Sequence, residues 1–128
     1  MKKTLFALLL SISSLVYANW TLIDMDTEGT VLFYIDKSTI QKNGQYLRVW
    51  EKVEYSEKSD MAIKRNVRST RTYVEIDCRE KKARVLSFTS FTSPNLINQK
   101  NSSNQTQEWE FIAPKTIFDS VLIQVCKK

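Results

Sequence analysis

The sequence predicts an α+β fold: an antiparallel β-sheet of about six strands, with a C-terminal α-helix packed on one face and tied to it by one disulfide. Three observations carry that expectation. Several segments alternate apolar and polar residues with a period of two, and one C-terminal segment repeats its apolar residues at spacings of three and four. The chain has two cysteines, Cys78 closing a strand-like run and Cys126 near the end of the helix-like run.

The first 18 residues stand apart from this pattern. Lys2 and Lys3 precede an apolar run from Leu5 to Val16, and Val16-Tyr17-Ala18 has the spacing of a signal-peptidase site. The run is too short for a membrane-spanning helix, which needs about 20 apolar residues. Residues 1–18 therefore read as a cleaved secretory signal, and residues 19–128 as a single domain exported to the periplasm or the cell surface. No cysteine follows the cleavage point to take a lipid, and no transmembrane segment is expected. The 128-residue chain has a net charge of +5. Without Lys2 and Lys3 its 19 basic residues fall to 17 against 14 acids, about +3. That is too mild for a nucleic-acid partner, which calls for a clustered basic face.

An oxidising compartment changes what two cysteines mean. In an exported chain they most often pair, and closing a 48-residue loop stabilises a fold by about 4 kcal/mol in the chain-entropy model. The competing readings are free thiols and metal-bound thiols. A nucleophilic thiolate needs a neighbouring base and zinc needs about four ligands, whereas this chain has no histidine at all.

Along the mature chain, residues 20–25 and 30–36 are rich in strand formers, joined by the turn Asp26-Thr27-Glu28-Gly29. Residues 36–40 (DKSTI) read as a short helical turn capped by Asp36 or Ser38. Asn43-Gly44 signals a hairpin turn. In residues 45–55, Leu47, Val49, Val53 and Tyr55 alternate against Tyr46, Arg48, Trp50, Lys52 and Glu54. Residues 56–65 read as a polar loop. Residues 66–78 alternate again, with Thr70, Thr72, Val74, Ile76 and Cys78 on one face and Arg71, Tyr73, Glu75 and Asp77 on the other. Strands are expected at 83–91 and 105–113, separated by a mobile, asparagine-rich connection at 93–105. The terminal helix is expected to begin at Pro114, a favourable first helical residue. Its apolar stripe is Ile117, Phe118, Val121, Leu122 and Val125, and Lys127 and Lys128 complement its dipole.

The chemistry-bearing patterns are few. With no histidine and only two glycines, Gly29 and Gly44, the common general base and the phosphate-cradling loops are both missing. No enzyme, catalytic residue, cofactor or metal site is expected. Glu108 with Glu110, and Glu75 with Asp77, form same-face carboxylate pairs that read as solvated outer residues. A basic and aromatic strand surface formed by Arg68, Arg71, Tyr73, Trp50 and Tyr46 is the candidate binding surface. Interspersed acids, namely Glu51, Glu54, Glu75 and Asp77, predict cross-strand ion pairs on that same surface.

The ordered segments "FYIDKSTI", "VW", "EIDCREKKARVLSF" and "EWEFIAPKTIFDSVLIQVC" resemble the surface-adhesin protein E family of Gram-negative bacteria. The resemblance covers most of residues 19–128. It implies an antiparallel sheet whose C-terminal helix is held by a Cys78–Cys126 disulfide. It also implies an adhesin that contacts host extracellular-matrix or serum proteins of the vitronectin, laminin and plasminogen class and is able to form a homodimer. The alternative is a periplasmic envelope domain that binds a small ligand or a partner protein without host contact.

Overall fold

The computed structural model describes residues 18–127, so the expected signal segment lies, but for Ala18, outside the described residues. Among the described residues, seven strands and two short helices follow one another as β1 (Trp20–Met25), β2 (Val31–Asn43), β3 (Tyr46–Tyr55), α1 (Asp60–Arg65), β4 (Ser69–Asp77), β5 (Lys82–Ser93), β6 (Ile97–Ser103), β7 (Glu110–Phe111) and α2 (Ile117–Val125). The strands make one sheet in the order β1-β2-β3-β4-β5-β6, with β7 paired to β5. All pairings are antiparallel. Each strand of the main path pairs with its neighbour in sequence, the connection that short turns permit.

The two glycines sit where the backbone turns. Gly29 (φ 69°) and Gly44 (φ 62°) adopt the left-handed region, which lacks a steric penalty only for glycine. At the first turn Asp26 helps, its carboxylate accepting from the Val31 amide and the Thr30 hydroxyl.

Four local expectations are corrected. Residues 36–40 are not helical; they continue β2, whose pairing with β3 shifts between Asp36 and Gln41. The Asp36 carboxylate accepts from the Ser38 amide, and Thr39 donates its hydroxyl to the Asp36 carbonyl. Those local bonds accommodate the irregularity within the strand, as a β-bulge does. Residues 56–65 are not all loop, because the Ser59 hydroxyl accepts from the Ala62 amide and caps α1. Residues 93–105 are not an unstructured connection: Asn95 and Leu96 (φ 61° and 60°) turn the chain, and β6 pairs back along β5. Every residue of β6 is exposed, so this ribbon is held by its ladder and not by burial. The expected strand at 105–113 shrinks to the two residues of β7.

The terminal helix also starts later than expected. Thr116 is its N-cap, accepting from the Asp119 amide, and Pro114 lies outside. Val121, Leu122 and Val125 of the predicted stripe are buried. They join Ile35, Val49, Val74 and Ile76 in the main core cluster, with Cys78 and Cys126 packed at its edge. Phe118, expected on the same stripe, is 58% exposed. The cysteines form the disulfide Cys78–Cys126, with a Cα separation of 5.8 Å. Among the described residues, no helix is long and apolar enough to cross a membrane.

Candidate functional site

Alternation along paired strands sorts the side chains onto two faces. Register puts Arg48, Glu75 and Arg84 in one cross-strand row, Trp50 with Tyr73 in the next, and Lys52 with Arg71 beyond them. This outer face is opposite to the one that contributes Ile35, Val49, Val74 and Ile76 to the core.

Three of the five candidate residues meet there. The Trp50 and Tyr73 rings stack with centroids 4.7 Å apart. The Arg71 guanidinium lies 5.5 Å from the Trp50 ring centroid and 5.9 Å from that of Phe91. Tyr46 is on the same face but packs 4.9 Å from Trp109, over which Arg84 (4.5 Å) and Lys82 (5.4 Å) also sit. At the other side, Lys52 lies over Tyr34 (4.3 Å) and Trp20 (5.5 Å). Arg68 does not join them. Its Nε donates to the Tyr55 carbonyl and its other end approaches Glu57 at 3.8 Å, which ties it to the loop before α1.

The result is an array in which cations rest on ring faces, an attraction of roughly 0.5–1 kcal/mol each at exposed sites. It resolves a local conflict: Lys52 and Arg71 are directly opposite each other, an arrangement that repels. Each cation instead faces rings on its own side, and Lys52 also approaches Glu54 at 3.6 Å.

The acids behave differently from expectation. Glu75 is not solvated; it is fully buried. One carboxylate oxygen takes Arg48 Nε at 2.7 Å and Asn43 at 3.1 Å, and the other takes Arg84 Nε and Nη2 at 3.0 and 2.7 Å. Burial pushes its pKa up, but the hydrogen bonds from Arg48, Arg84 and Asn43 outweigh that and hold it below the usual carboxylate range. Asp77 is buried too, its carboxylate accepting from the Arg79 and Glu80 amides in the β4–β5 turn. Glu51 does not pair with the basic residues as expected; it lies on the opposite face beside Val49 and Val53 and forms no ion pair among the described residues.

Sequence reasoning missed Trp109 and Lys52 as members of this surface. Trp109 is flanked by two exposed glutamates, and nothing local shows that it folds over β5. The array exposes aromatic area with a fixed pattern of cations, and it places no nucleophile beside a general base. It is suited to recognition. Among the described residues, no cluster of acids or cysteines has metal-binding geometry.

The sequence profile of the surface-adhesin protein E family matches residues 20–127. The fold is similar to crystal structures of Haemophilus influenzae protein E. Its selenomethionine form has a TM-score of 0.60 at 13% identity, covering 87% of this chain and 88% of that one. Crystal form II has a TM-score of 0.57 at 15% identity, covering 85% and 96%. Protein E from non-typeable H. influenzae has a TM-score of 0.51 at 12% identity, covering 86% and 85%. No curated protein sequence matches the chain.

Proposed function

The chain belongs to the surface-adhesin protein E family, and from that premise we propose that it is an exported, non-enzymatic adhesin-like protein whose contact surface is the outer face of the sheet. Residues 1–18 are its secretory signal and residues 19–128 its binding domain. One face of the sheet is committed to the core, with α2 packed over it and pinned by Cys78–Cys126. The other face presents the aromatic and basic array to a partner.

The observation that carries this reading is the partly exposed stack of Trp50 and Tyr73 beneath the exposed Arg71. Rigid aromatic side chains and arginine are the residues that most often dominate protein–protein binding energy. Tyr46 with Trp109, Lys82 and Arg84 extends the same surface. Arg68 is left out of it. The partners are host matrix or serum proteins of the vitronectin, laminin and plasminogen class, engaged through acidic or aromatic segments of the kind that complement such an array.

Solid-phase binding to vitronectin, laminin and plasminogen tests this. Binding at micromolar protein is expected with at least one of them, and the double substitution Trp50→Ala with Arg71→Ala is expected to weaken it at least tenfold. Binding no stronger than that of a control protein defeats the proposal. Cell fractionation separates it from the periplasmic alternative, since strictly periplasmic protein never meets host matrix.

A further inference from the structure

The opposite face of the sheet is not wholly covered. Beyond the core cluster lies a cleft of about 550 Å³, within the usual range for small-molecule sites. Val53, Thr72, Phe88, Phe33, Phe111 and Phe118 line it. Phe33 and Phe118 meet edge to face with centroids 6.3 Å apart. Phe111 and Phe118 are among the most exposed large apolar side chains of the molecule, at 79% and 58%.

Within this apolar lining stands Glu51. It is 8% exposed, and among the described residues neither a hydrogen bond nor a nearby charge acts on its carboxyl, burial alone pushing its pKa to about 7. Its oxygens are not sealed within protein but border the cleft. A buried carboxylate without a partner is costly, and elsewhere this fold answers that cost: Glu75 receives two arginines and an asparagine. Glu108 and Glu110 line the same cleft, adding negative charge near its mouth. The cleft's one cationic residue among those described, Arg84, has its guanidinium committed to Glu75.

We infer that this cleft binds a small cationic amphiphile, a primary ammonium carried on an apolar body, with Glu51 as its counter-ion. The apolar body fills the space between Val53, Thr72 and the phenylalanine rings. The ammonium supplies the charge-assisted hydrogen bonds that Glu51 lacks. The site is on the opposite face from the adhesive array and stands whether or not that reading holds.

Binding of this kind depends on pH through Glu51. The other titratable groups around the cleft are Tyr55 on β3, Arg84 on β5, Glu108 just before β7 and Glu110 on β7. β2, β4 and α2 present only uncharged residues to it. With its pKa near 7, Glu51 passes from mostly ionised at pH 8 to mostly neutral at pH 6. Affinity for an ammonium therefore falls about tenfold across that interval.

Titration calorimetry of the protein with n-octylammonium chloride, n-octanol and sodium octanoate tests the inference. At pH 8, n-octylammonium is expected to bind at least tenfold more tightly than either comparator, and to weaken about tenfold at pH 6. Glu51→Gln, which keeps the side chain's size, is expected to abolish the preference while leaving the circular dichroism spectrum unchanged. Thr72→Trp, which fills the cleft and keeps Glu51, is expected to remove binding altogether. No binding of n-octylammonium, equal or tighter binding of octanol or octanoate, or a preference that survives in Glu51→Gln would each overturn it.

Discussion

Two buried glutamates, on opposite faces of one sheet, show what burial alone does not decide. Glu75, at the centre of the outer face, is fully enclosed and has every carboxylate oxygen engaged by Arg48, Arg84 or Asn43. Glu51, on the core face, is nearly as buried but has apolar neighbours and open space in front of it. Their pKa values accordingly move in opposite directions, Glu75 below the usual range and Glu51 up to about 7. The difference lies in what register brings alongside. Glu75 is flanked in its row by Arg48 and Arg84, whereas Glu51 is opposite Ile35 and Thr72.

The largest test concerns the cover of the core face. Replacing Cys78 by Ser should lower stability by about 4 kcal/mol through the lost 48-residue closure, measured by chemical denaturation. If α2 were held by packing alone, the loss would be far smaller and the Glu51 cleft would keep its wall without the bridge. A smaller effect is expected on the outer face, where Glu75→Ala should cost about 3 kcal/mol. That substitution strands Arg48 and Arg84 beside a buried gap, although both guanidinia are about a third exposed and recover some hydration. Because the folded pKa of Glu75 is depressed, its contribution is present above the ordinary carboxylate range and is lost as pH falls through the folded value. Stability unchanged by Glu75→Ala at pH 7 would remove the clamp from one side of the comparison.

Glu51→Gln gives the smallest change and the opposite sign. The folded pKa of Glu51, about 7, lies above its ordinary value of 4.5. Its contribution therefore favours folding below about pH 4.5 and is lost as pH rises through 7. The rise from 4.5 to about 7 corresponds to at most about 3 kcal/mol; because the carboxyl oxygens border the open cleft, the substitution should stabilise the protein by about 2 kcal/mol at pH 8 and by little near pH 4.5. Thermal unfolding at the two pH values measures this. Equal effects at both would mean that Glu51 is not desolvated.

The strands with strict alternation are legible in the sequence itself. β3 and β4 appear where period-two patterning places them, because half-buried strands expose and bury every other residue, and β1 and most of β5 appear where strand-forming residues are expected to pair. The pairing of Cys78 with Cys126 agrees with the same parity, which turns Cys78 toward the core, and with the stripe that turns Cys126 toward the sheet. The misread segments share a different cause. β6 is held by its backbone ladder without burial, and residues 37–40, which have no register partner on β3, are held by local bonds to Asp36, so neither leaves a hydrophobic pattern to read. The short α1 depends on one capping hydroxyl, Ser59.

The candidate surface divides in the same way. That Trp50, Tyr73 and Arg71 share a face is a matter of parity within two neighbouring strands, and the sequence alone determined it. That Trp109 covers Arg84, that Arg68 turns to the α1 loop, and that Glu75 is clamped while Glu51 borders an open cleft were decided only by the tertiary structure. Parity says which way a side chain points along its own strand. It does not say which strand pairs beside it or in what register, and those long-range pairings determine whether a buried charge finds a partner.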